Sequence, residues 1–171
     1  MGDEIDFCVP TGNFGNILAG WFAKKMGLPV RRFICASNDN NILTDFLRTG
    51  VYDRNRPFHL TISPSMDILV SSNLERMLYL ASDGDAEWTA SCMRELFSEG
   101  VYEIPGRVRE ALSGIFDAGY ADEAEARETI RRVFREDGYL VDPHTAVAKA
   151  VSARFLRTEN GRKVPNVVLS T

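Results

Sequence analysis

A chain of 171 residues is long enough to bury one sizeable core. Its 44% hydrophobic and 26% charged residues are ordinary for a globular protein. The formal net charge of −4 argues against a general nucleic-acid binder, because no basic surplus is available to neutralise phosphates.

No apolar run reaches membrane-spanning length, and Met1-Gly2-Asp3-Glu4 does not open a signal peptide. No membrane partner is expected, and the cytoplasm is the default location. Cys8, Cys35 and Cys92 lack Cys-x-x-Cys spacing, so neither a metal centre nor a disulfide framework is expected. Cys8 and Cys35 fall in apolar runs, where cysteine acts as a small hydrophobe.

Taken in order, residues 5–9 read as a buried strand that leads into Pro10-Thr11-Gly12-Asn13-Phe14-Gly15-Asn16. Residues 16–26 then read as a helix with Ile17, Leu18, Trp21, Phe22 and Met26 on one face, stopped by Gly27 and Pro29 in Schellman fashion. A strand that delivers a Gly-rich turn to a helix N-terminus is a ready anion site, because free N–H groups and the positive end of the helix dipole converge there. Gly12 and Gly15 are expected to supply backbone angles closed to other residues and close approach for a ligand. The loop holds no Lys or Arg, so an anion would be held by dipoles and hydrogen bonds alone. A bare Gly-x-x-Gly also fits a simple tight turn.

Residues 30–36 read as a second strand, parallel to the first across the helix. It ends in a polar turn, Ser37-Asn38-Asp39-Asn40-Asn41, before a helix carrying Ile42, Leu43, Phe46 and Leu47. In a parallel sheet both turns lie on one carboxyl edge. The Asn-rich turn fits helix capping, and it equally fits capping combined with ligand contact.

Residues 59–62 read as a short strand, and the region from about 63 to 137 as a helical insertion, with Val108, Leu112, Ile115 and Phe116 on one helical stripe. The α/β body is expected to comprise residues 1–62 and 138–171, resuming at Gly138-Tyr139-Leu140-Val141. Asp142 caps a further helix with Pro143 at its first position, and a last strand covers residues 167–169. Core strands this near both ends of the sequence suggest a piece of a longer protein.

Four blocks, in order, carry a family resemblance: Pro-Thr-Gly-Asn-Phe-Gly-Asn at 10–16, Ser-Asn-Asp-Asn-Asn-Ile-Leu at 37–43, Ser-Pro-Ser-Met-Asp-Ile at 63–68, and Asp-Pro-His-Thr-Ala-Val-Ala at 142–148. In these the chain resembles threonine synthase, a pyridoxal-phosphate enzyme. The resemblance implies a three-layer, Rossmann-like α/β fold with a parallel sheet, the fold type II of such enzymes, and a chain covering part of the larger domain. It implies that Gly12, Asn13, Phe14, Gly15 and Asn16 cradle the cofactor phosphate and that Thr171 meets the pyridine nitrogen. Ser37, Asn38, Asn40 and Asn41 are then candidates for the substrate side of the same crevice. The implied reaction converts O-phospho-L-homoserine and water to L-threonine and phosphate. The family's Schiff-base lysine lies ahead of the phosphate loop, and Lys24, Lys25, Lys149 and Lys163 sit in no matching motif. The missing N-terminal part of the same enzyme is thus an expected partner, and the chain alone is expected to be inactive. Two other readings stand beside this one: another fold type II enzyme, or a non-catalytic phosphate-ligand module. A dinucleotide-binding domain fits poorly, because the loop lacks a third glycine and no acidic residue ends the second strand.

Overall fold

The computed structural model describes residues 4–158 and 164–170. Strand β1 (Ile5–Pro10), helix α1 (Gly15–Lys25) and strand β2 (Val30–Ser37) form the expected unit, with β1 and β2 parallel. Both strands are buried on their two faces, so their apolar runs are nearly continuous rather than alternating. Val9, Phe33 and Cys35 face one core, and Cys8, Ile34 and Ala36 face another. Helix α1 ends as its sequence dictates: Gly27 takes a φ of 106°, its N–H bonds Lys24 O, and the Leu28 N–H reaches back to Ala23 O. Its face is narrower than expected, however. Ile17, Leu18 and Trp21 are buried, whereas Phe22 is 46% and Met26 88% exposed.

Beyond α2 (Ile42–Thr49) comes a small antiparallel pair, β3 (Val51–Asp53) with β4 (Val101–Glu103). Tyr52 and Tyr102 stack across it at 5.3 Å. Between these strands lie α3 (Leu74–Ala81) and α4 (Ala86–Ser98). Residues 59–62 are not a strand; their backbone is irregular.

The region expected to be a helical insertion also contributes to the main sheet. Helix α5 (Gly106–Ser113) stops at Gly114, and β5 (Phe116–Tyr120) pairs in parallel with β2. Phe116 therefore belongs to a strand rather than to the helical stripe proposed for it. Its ring meets Phe14 edge-on at 5.6 Å and Phe33 at 5.9 Å, and this tertiary packing outweighs a local pattern that fitted a helix. After α6 (Glu123–Asp137), Gly138 is a left-handed cap with a φ of 67°, and residues 138–141 form no strand. Helix α7 (Pro143–Thr158) and strand β6 (Asn166–Val168) complete the fold. Among the described residues the main sheet runs β5-β2-β1-β6, all parallel. Helices α1 to α5 pack against one face, and α7, with α6 outside it, against the other.

Candidate functional site

Parallel pairing brings the carboxyl ends of β1, β2, β5 and β6 to one edge, where the loops leaving them gather. The loop after β1 begins with Thr11, whose N–H bonds Ala36 O at 2.8 Å. Gly12 packs under Ser65, so closely that a β-carbon there would lie 3.0 Å from Ser65 O and 3.1 Å from Met66 Cα. Ser65 N–H in turn faces His144 Nε2 at 3.4 Å. His144 starts α7, where the Asp142 carboxylate accepts from the N–H groups of His144 and Thr145, the cap its position suggested. Thr145 Oγ1 reaches Ser170 Oγ at 3.3 Å, just past β6. On the opposite side, Ser71 and Asn73 hold the carbonyls of Gly12 and Asn13.

The phosphate-loop residues take different parts. Neither Gly12 nor Gly15 has a left-handed φ; Phe14 does, at 65°. Gly12 is needed for close packing against the Ser65–Met66 backbone instead, whereas a β-carbon on Gly15 would press only on side chains, Asn13 Oδ1 at 3.2 Å and Asn73 Nδ2 at 3.4 Å. The Phe14 side chain is wholly buried, so Phe14 can offer a ligand only its backbone. Asn13 and Asn16 are exposed at the mouth. Asn13 Oδ1 accepts from Gly15 N–H at 3.0 Å, which leaves its amide hydrogens to face outward. The other N–H groups in the first turn of α1 have no intrahelical partner. Loop and helix start therefore offer neutral donors, and no carboxylate lies among them. That donor set fits a phosphate ester.

The Asn-rich turn is built differently. Asn38 is 2% and Asn40 5% exposed. The Asn38 amide reaches Thr61 Oγ1 at 2.9 Å, Ser63 Oγ at 3.0 Å and Asp67 Oδ1 at 2.7 Å. Asn40 exchanges bonds with the His59 backbone and donates to Asp67 Oδ1 at 3.0 Å. Asn41 Oδ1 accepts from Arg56, and no side-chain cap bond is made at the start of α2. Asp39 instead accepts from Glu123 N–H at the start of α6. Ser37 Oγ is buried without a partner among the described residues. The two turns share the edge as the topology requires, but Asn38 and Asn40 point beneath the 59–67 segment and fasten it. Thr171 lies outside the described residues.

Lys24 Nζ donates to Val30 O, Lys25 lies 5.1 Å over the Trp21 ring, and Lys149 is exposed on α7. Lys163 lies outside the described residues. The thiols are ill suited to chemistry: burial pushes Cys35 up to about 12, and Cys8, which donates to Ala148 O, is also pushed up by burial. Among the described residues no His, Cys, Asp and Glu cluster could hold a metal ion, and no helix is long and apolar enough to cross a membrane.

Sequence reasoning missed Ser71, Asn73, Thr61 and Asp67. The Ser71-Ser72-Asn73 run was a usable signal, since three capping-type residues exceed what one helix start requires.

No protein-family model matches the chain. Solved structures do. The pyridoxal-phosphate-bound threonine synthase from Brucella melitensis superposes with a TM-score of 0.91 at 42% identity, over 98% of this chain and 35% of that one. Yeast threonine synthase gives 0.93 at 37%, over 98% and 36%. The fold is thus the α/β, parallel-sheet fold type II of pyridoxal-phosphate enzymes. In sequence the chain is 48% identical to threonine synthase-like 1 of Homo sapiens, over 100% of its own length and 23% of that protein. It is 38% identical to threonine synthase of Saccharomyces cerevisiae, over 98% and 35%. Along its whole length the chain is a homologue of one stretch of the threonine synthases. It spans about a third of their length and under a quarter of threonine synthase-like 1.

Proposed function

We propose that this chain is the cofactor-phosphate-binding stretch of a threonine synthase, which converts O-phospho-L-homoserine and water to L-threonine and phosphate. The observation that supports this most is the loop itself: a buried parallel strand hands a neutral, donor-lined turn to a helix N-terminus, in a chain homologous to these enzymes from end to end. The exposed amides of Asn13 and Asn16 and the open N–H groups of the first helical turn would hold the phosphate ester. Gly12 keeps the loop flat against Ser65, and Phe14 contributes its N–H. Bound there, the cofactor would supply an electron sink for carbanion chemistry on the amino acid. Thr171 is proposed to meet the ring nitrogen. The lysine that anchors the cofactor is proposed to come from polypeptide N-terminal to this stretch, in a cytoplasmic enzyme.

Phosphate release from O-phospho-L-homoserine by the complete polypeptide tests the reaction, and absence of release with cofactor bound overturns it. The higher identity to a protein named only threonine synthase-like favours a second reading, another fold type II enzyme acting on a different amino acid. In that case cofactor binds while the phosphohomoserine assay stays silent.

A further inference from the structure

The carbonyl oxygens of the phosphate loop are held from one side. Gly12 O accepts from Ser71 Oγ at 2.8 Å. Asn13 O accepts both the N–H and the side-chain amide of Asn73, each at 3.0 Å. Among the described residues every peptide bond is trans. In a trans peptide the C=O and the following N–H point in opposite directions. Anchoring Gly12 O therefore turns the Asn13 N–H away from residues 71–73, and anchoring Asn13 O does the same for the Phe14 N–H. Neither N–H has an acceptor among the described residues.

The anchors are themselves braced. Ser71 is 7% exposed, and its N–H donates to the Tyr52 hydroxyl at 2.9 Å. That hydroxyl donates onward to Leu69 O at 3.2 Å, and the Tyr52 ring stacks on Tyr102. On the other side, Arg76 donates to Asn73 Oδ1 at 2.9 Å, which leaves the Asn73 amide nitrogen facing Asn13.

We propose that Ser71 and Asn73 are positioning residues of the phosphate cradle. They touch the loop's carbonyls, not the anion, and they set anion affinity by fixing which way two backbone amides point. This rests on the reading of the loop as a phosphate cradle. An anchored peptide presents its N–H at no ordering cost when the ligand arrives, whereas a free one must be ordered first.

The experiment is a titration of the complete 15N-labelled polypeptide with inorganic phosphate, and separately with pyridoxal phosphate, for the parent, Ser71→Ala and Asn73→Ala. Both variants retain the apolar core, and their spectra report folding directly. In the parent, the Asn13 and Phe14 amide resonances should move with added anion. In each variant the same movement should need about ten-fold more anion, the equivalent of one lost hydrogen bond. Equal affinities in folded parent and variants overturn the positioning role while leaving the cradle intact. A parent whose loop amides respond to neither anion overturns the cradle and the positioning role together. A purely structural role would lower the melting temperature and leave both titrations unchanged.

Discussion

The side-chain amide of Asn38, beneath the 59–67 segment, donates at 2.7 Å to Oδ1 of Asp67, the last residue of that segment. Asp67 also accepts from Asn40 Nδ2, from Thr61 Oγ1 and from Thr61 N–H. A carboxylate bound this fully is a structural hub, and the segment it fixes carries Ser65 to the top of Gly12. Removing one charged hydrogen bond costs about 1.5–3 kcal/mol, a melting shift of about 3–12 °C in a domain of this size. Asn38→Ala should therefore melt earlier, as seen by circular dichroism. Asn13→Ala, at an exposed position, should melt within about 2 °C of the parent yet bind phosphate more weakly. The reverse pattern would return Asn38 to the ligand side.

Much of this was legible in the sequence, and the rest was not for identifiable reasons. The loop after β1 stood out because Gly12, Gly15 and the flanking asparagines break two strong apolar patterns at once. Asp142 was readable as a cap because capping is local. Strand β5 was not, because Ile115 and Phe116 continue an i, i+3, i+4 spacing from Val108 and Leu112; only contact with Phe14 and Phe33 decides their state. Asn38 looked like a ligand contact because nothing nearby in sequence reveals Asp67 lying over it. Phe14 in the left-handed region was equally hidden, since glycines on either side of the motif were the obvious bearers of such a φ.

Among the described residues strand β5 is an edge of the sheet, and an open strand edge invites pairing with other chains. Here Arg48 donates to Ala118 O at 3.1 Å and Arg154 to Tyr120 O at 2.6 Å. The double change Arg48→Ala, Arg154→Ala should expose those carbonyls and raise concentration-dependent self-association. Light scattering across a dilution series checks this, and an unchanged monomer fraction at high concentration would count against it.

Alkaline stability should follow the buried acids. Burial raises the Cys35 thiol from 9.0 to about 12, the Cys92 thiol to about 11 and the Tyr52 hydroxyl from 10.0 to about 12. The folded state holds these protons at pH values where the unfolded chain releases them, so stability is complete below about pH 9 and falls as pH rises toward 11–12. Each such group contributes a slope of about 1.4 kcal/mol per pH unit within its window. Cys35→Ala should be less stable at pH 7 but lose stability more gently between pH 9 and 11. Urea midpoints at pH 7, 9, 10 and 11 decide it: parallel curves for parent and variant would mean the thiol does not set the slope.

Phe14 sets two costs against each other. Its φ of 65° is unfavourable for a residue with a β-carbon, by about 1–2 kcal/mol. Its ring, wholly buried and edge-on to Phe116, is worth about 3–5 kcal/mol against alanine. Packing wins, which is why a phenylalanine occupies a position whose backbone suits glycine. Both Phe14→Ala and Phe14→Gly should therefore be destabilised. The two differ in a way that isolates the backbone: alanine loses the ring and keeps the strain, whereas glycine loses the ring and sheds it. The glycine variant forfeits part of that gain through the greater freedom of its unfolded chain, about 0.4–1 kcal/mol. The expected order is parent, then Phe14→Gly, then Phe14→Ala, with the last two separated by about 0.5–1 kcal/mol. Equilibrium urea unfolding measures it. An alanine variant as stable as the glycine variant, or more so, would show that Phe14 is not held against its backbone preference.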